Sequence, residues 1–116
     1  MRTVEVAVIG TGWCGGIRAE TLSRSALVDK LHSCEVRPDR LAEVKALTNP
    51  ATATTDYQEI VRNNNIEVVY ISTAPEATHY PIARDCLKAG KHVLLEKPIA
   101  MELWEADELI GIAMQN

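Results

Sequence analysis

Two stretches carry residues whose types and spacing suit chemistry. The first is Gly10-Thr11-Gly12-Trp13-Cys14-Gly15, a Gly-x-Gly-x-x-Gly run between a β-branched apolar segment and a helical one. In that setting Gly10 permits a tight turn out of a strand. Gly12 leaves room for a pyrophosphate to approach the backbone, and Gly15, with Gly16, lets a helix pack close to the sheet. The helix start presents free N–H groups and a positive dipole end to an anion. The second stretch is Glu96-Lys97-Pro98, directly after the apolar run Val93-Leu94-Leu95. It places an acid and an amine at the carboxyl end of a strand, where open parallel sheets bind ligands. The plain alternatives are a ligand-free glycine turn and a solvated Glu-Lys pair.

Between them lie weaker candidates. Glu35 follows Gly10 by 25 residues, near the spacing of an acid that holds an adenine ribose. Such a carboxylate accepts from a 2′-hydroxyl and repels a 2′-phosphate, which favours NAD over NADP. Arg37 works the other way, since a guanidinium at this turn suits a 2′-phosphate or an adenine face. Thr73 and Pro75 lie in the loop after an apolar run, Ile66 to Ser72, and His79 opens the helix that follows. An imidazole there can face a ligand or simply cover the helix start.

The elements that must position these residues alternate along the chain. Strands are expected at Thr3 to Ile9, Lys30 to Glu35, Ala51 to Thr55, Ile66 to Ser72 and Val93 to Leu95. Ala26 to Glu35 can also be read as helical. Helices are expected at Ile17 to Arg24, Arg40 to Leu47 after Pro38, Tyr57 to Asn63, Tyr80 to Ala89 and Leu103 to Met114. Asp56 and Glu59 have the spacing of a capping box. This alternation predicts an α/β, Rossmann-like, doubly wound parallel sheet in the order 3-2-1-4-5, with helices on both faces.

Composition narrows the class. At 116 residues the chain fits one domain, residues 1–116. A formal net charge of −4 without a basic cluster argues against nucleic acid or an anionic membrane as partner. No apolar run approaches the roughly 20 residues of a membrane span. Three widely spaced cysteines, Cys14, Cys34 and Cys86, suit neither a zinc site nor a disulfide framework, so no metal and a cytoplasmic setting are expected.

With these motifs assembled, the sequence resembles the N-terminal domain of the Gfo/Idh/MocA oxidoreductases over essentially its whole length. Ala89-Gly90-Lys91-His92-Val93-Leu94-Leu95-Glu96-Lys97-Pro98 is the most specific part of that resemblance. The resemblance implies an NAD or NADP cofactor. Gly10, Thr11, Gly12, Trp13, Cys14 and Gly15 would lie at its pyrophosphate and Glu35, with Arg37, at its adenine ribose. Thr73, Pro75, His79 and Glu96 would lie on the nicotinamide side. Lys97 would act on the substrate, with Glu96 holding it in place. The loop departs from the family's usual Thr-Pro spacing, because Ala74 separates Thr73 from Pro75. The resemblance further implies a sugar- or polyol-like substrate, a homo-oligomer in the full-length protein, and a second, substrate-binding domain outside these 116 residues. A dinucleotide sensor of the same fold, without turnover, is the alternative.

Overall fold

The computed structural model describes residues 2–116. The elements run β1 (Val4–Ile9), α1 (Trp13–Ser23), β2 (Val28–Cys34), α2 (Pro38–Thr48), β3 (Thr52–Thr54) and α3 (Tyr57–Arg62). They continue with β4 (Ile66–Ile71), a 3-10 turn (Glu76–Thr78), α4 (His79–Lys88), β5 (His92–Leu95) and α5 (Leu103–Gln115). The five strands form one parallel sheet in the order β3-β2-β1-β4-β5. The expected order and class are therefore met.

β1 and β4 occupy the middle of the sheet, and their near-continuous apolar sequences follow from burial on both faces. Alternate residues point to opposite sides. Ala7, Ile9, Val69 and Ile71 join Ile60 of α3, Ile82, Ala83 and Cys86 of α4, and Leu109 of α5 in one core layer. Val8 and Tyr70 join Ala19 of α1, Leu31 of β2 and Val44 of α2 in the other. Burial pushes the Cys34 and Cys86 thiols up to about 12, so both serve as apolar filling.

Several boundaries differ from the sequence reading for identifiable reasons. α1 starts at Trp13, not Ile17, although Gly15 and Gly16 are poor helix formers. Close packing overrides propensity: a Cβ on Gly15 would stand 1.8 Å from the Gly10 carbonyl oxygen. Gly10 has φ +89°, the left-handed region that a turn directly out of β1 demands. β2 begins at Val28, opposite Val4, which settles the helical alternative as a strand. At α3 the capping box is half made. Asp56 accepts from the Gln58 N–H, but the Glu59 carboxylate takes the Thr54 hydroxyl instead of the Asp56 N–H. A complete capping box occurs at α5, where Glu102 and Glu105 each accept from the other's backbone.

Lys91 has a structural task. Its side chain is buried and its Nζ donates to the carbonyls of Asn63 at 2.7 Å and Ile66 at 2.9 Å. It thereby ties the start of β5 to the turn that leads into β4. Burial lowers its pKa. Lys91→Met would take a buried donor from both carbonyls, leaving Asn63 with the Ile66 N–H alone, and is expected to lower the unfolding free energy by about 2 kcal/mol. Urea denaturation checks this; an unchanged midpoint would mean that water replaces the amine.

Candidate functional site

A cavity of about 480 Å³ opens at the carboxyl ends of β1, β2 and β4, where the strand order reverses. Gly10, Gly12, Glu35, Arg37 and Thr73 line it, together with Ile9, Cys34, Val36, Tyr57, Ser72, Ala74, Thr78 and Ile82. Such a crevice, outside the strand ends at a topological switch point, is where doubly wound folds take their ligands. A Cβ on Gly12 would meet only the Arg37 guanidinium, at 3.9 Å. Beside Gly12 there is thus space for a ligand to reach the backbone.

The loop between β1 and α1 is held from inside. Thr11 is 0% exposed. Its N–H donates to Glu35 Oε1 at 2.9 Å and its hydroxyl to the same oxygen at 3.0 Å. Its carbonyl accepts from Arg40 Nε at 2.7 Å. Thr11 thus spends its N–H, hydroxyl and carbonyl on bonds within the protein. Trp13 and Cys14 lie exposed on the first turn of α1, and Gly15 is buried against Gly10.

Glu35 is more committed than an isolated ribose ligand would be. Besides Thr11, its Oε2 accepts from the Arg37 N–H and from Arg37 Nε, both at 3.1 Å. Burial alone would raise this carboxyl, but the bonds from Arg37 and Thr11 outweigh it and hold the pKa at about 2. The Arg37 guanidinium is itself largely exposed, so it is the partner that a ligand can exchange. The acid and the guanidinium that the sequence set in opposition form one ion pair at the mouth of the cavity.

The other loops meet across the carboxyl edge of β4 and β5. The Ala74–Pro75 and Lys97–Pro98 peptides are cis. The Thr73 hydroxyl hydrogen-bonds the Thr78 hydroxyl, which also donates to the Pro75 carbonyl at 2.7 Å. Pro75 is exposed outside the cavity lining. His79 does not face a ligand space: it is buried, with Nδ1 2.8 Å from the Pro98 carbonyl and Nε2 2.9 Å from the Thr73 carbonyl. It fastens the loop after β4 to the loop after β5. Glu96 likewise departs from its expected partner. It accepts from the Tyr70 hydroxyl rather than holding Lys97, and that bond helps keep its carboxyl below the usual range. Lys97 is exposed and its side chain makes no hydrogen bond or ion pair among the described residues, so its amine is free at the end of β5.

Sequence reasoning did not single out Arg40, Tyr57, Tyr70 or Thr78. Tyr57 and Thr78 line the cavity, while Tyr70 reaches Glu96 from within the sheet. Only Arg40 left a trace in the sequence, an arginine in the first turn of the helix that Pro38 starts.

Comparison with known proteins agrees with this geometry. Residues 4–116 match the Gfo/Idh/MocA family model, described as an oxidoreductase family with an NAD-binding Rossmann fold. A myo-inositol 2-dehydrogenase of Thermotoga maritima is 33% identical over 107 residues, 92% of this chain and 32% of that protein. A scyllo-inositol 2-dehydrogenase (NADP(+)) of Bacillus subtilis is 34% identical over 116 residues, 97% of this chain and 34% of that protein. Among solved structures, GenD2 from gentamicin A biosynthesis, in complex with NAD, superposes with a TM-score of 0.90 at 30% identity. That match covers 99% of this chain and 32% of the other. The chain spans about a third of the length of the curated relatives it matches.

The Glu35 bonds make stability depend on acid. A carboxyl depressed from 4.5 to about 2 contributes stability in full above about pH 4.5, and that contribution is lost as pH falls towards 2. Glu35→Gln is expected to lower stability at pH 7 and to flatten this part of the pH profile, as read by urea melts between pH 7 and pH 2. An unchanged acid limb in the variant would contradict the assignment.

Proposed function

The chain belongs to the Gfo/Idh/MocA oxidoreductase family, and from that membership we propose that it is the cofactor half of a dehydrogenase acting on a sugar, polyol or related small molecule. The whole enzyme would pass hydride between a nicotinamide ring and a secondary alcohol or ketone. The observation that carries this reading is the pairing of a glycine-lined cavity with the unpartnered Lys97 amine on the same edge of the sheet. Inositol dehydrogenases among the relatives favour a cyclic polyol.

The residues divide the task. Gly10 and Gly12, with the first turn of α1, would receive the pyrophosphate through backbone N–H groups. Glu35 and Arg37 would meet the adenine ribose, and Thr73 the nicotinamide side. A bound nicotinamide cofactor supplies the hydride chemistry. Lys97 would lie beside the substrate oxygen, stabilise negative charge that develops there and exchange a proton with it. Tyr70 and His79 would support that lysine by tying down Glu96 and Pro98 on either side of it.

Cofactor choice rests on the Glu35–Arg37 pair. A ribose 2′-hydroxyl that displaces Arg37 Nε keeps Glu35 bonded, which favours NAD. The freed guanidinium is nevertheless a ready partner for a 2′-phosphate. The exposed apolar residues Leu94, Ile99, Met101, Leu103 and Trp104, on and after β5, would be covered by a substrate domain or a second subunit. Free thiols at Cys14, Cys34 and Cys86 fit a reducing, cytoplasmic setting.

Two results are expected. In the full-length enzyme, Lys97→Ala lowers kcat by about a hundredfold or more while the NAD dissociation constant stays within about twofold. Equal losses in both would contradict a role in chemistry. Arg37→Ala raises the ratio of NAD to NADP affinity by about tenfold in competitive binding. An unchanged ratio would remove Arg37 from cofactor selection.

A further inference from the structure

We propose that Arg40 is a positioning residue for the dinucleotide loop, and that Gly16 is a glycine so that the Arg40 guanidinium can lie against it. The inference rests on the reading of the cavity as a dinucleotide site. The Gly-x-Gly-x-x-Gly pattern uses Gly10, Gly12 and Gly15; Gly16, expected to share the close helix–sheet packing of Gly15, instead faces Arg40 and Thr11. Gly16 sits inside α1 with no left-handed φ, so its backbone does not call for glycine. Space does. A Cβ there would stand 2.4 Å from Arg40 Nη2 and 3.3 Å from the Thr11 carbonyl oxygen.

Arg40 Nε donates to that same carbonyl at 2.7 Å, and its Nη1 is anchored by Glu43 at 3.1 Å. In a trans peptide the C=O and the next N–H point in opposite directions. Holding the Thr11 carbonyl towards α2 therefore turns the Gly12 N–H away from α2. Glu35 fixes the other end of Thr11 through its N–H and hydroxyl. The β2–α2 junction, which carries the ribose-facing residues, thus also sets the direction of the pyrophosphate-facing amide. Arg40 acts through Thr11 and need not touch the cofactor.

The test uses this chain with two probes, ADP-ribose and adenosine, in NMR titrations. ADP-ribose needs the loop; adenosine needs only the ribose and base end. Arg40→Ala and Gly16→Ala are each expected to weaken ADP-ribose binding by about tenfold and to leave adenosine within about twofold. The double variant should bind ADP-ribose no more weakly than either single one, because both disturb the same contact. Arg40→Lys, which keeps a donor within reach of the Thr11 carbonyl, should recover most of the affinity. Additive losses, a parallel loss of adenosine, or no loss overturn the proposal. Circular dichroism checks folding; if Gly16→Ala does not fold, the two Arg40 variants decide the outcome. A wild-type chain that binds neither probe overturns the cofactor reading itself, and this proposal with it.

Discussion

The Glu35 carboxylate is the contact on which the site depends. It lies just beyond β2, yet four of its hydrogen bonds run to two different segments, Thr11 in the glycine loop and Arg37 at the mouth of α2. A buried carboxylate with this many donors is both strongly ionised and strongly directional. It welds the first crossover of the sheet to the second. The glycines give the loop freedom to approach a ligand, and Glu35 with Arg40 removes the freedom that would make the approach unspecific. Flexibility of backbone and rigidity of placement come from different residues.

A similar division holds at the other side of the crevice. The stretch Ala89 to Pro98 contains two lysines six residues apart, and β5 separates them. Lys91 is buried at the amino end and satisfied by two carbonyls. Lys97 is exposed at the carboxyl end with its neighbours tied down by Tyr70 and His79. One amine is consumed by the fold and the other is left without a side-chain partner among the described residues. The sheet direction decides which, because the larger crevice lies at the carboxyl edge.

Much of the fold was legible because β-branched runs, turn glycines and helix caps point to the same alternation at every level. The strand order follows from parallel crossovers of one hand. What could not be read were contacts made by packing. The helix start at Trp13 ran against propensity because Gly15 must meet Gly10. Glu59 lost its capping role to a Thr54 hydroxyl placed by β3. At the candidate site, residue types singled out Glu35, Arg37 and Lys97, but not that Glu35 and Arg37 pair. For His79 the sequence left a ligand-facing and a helix-covering ring open, and its ring is taken up between two loop carbonyls that are distant in sequence. Arg40 stood in the first turn of the helix that Pro38 starts, but its task stayed hidden because its partner is a backbone oxygen.

Amide NMR of the uniformly labelled chain during titration with NAD tests the central claim most directly. Shifts are expected at the carboxyl edge of the sheet alone: Gly10 to Gly15, Glu35 to Arg37, Thr73 with Ala74, and Glu96 with Lys97. Shifts centred instead on the amino edge, around Asn63 to Ile66 and Lys91, or no shifts at saturating NAD, would contradict it.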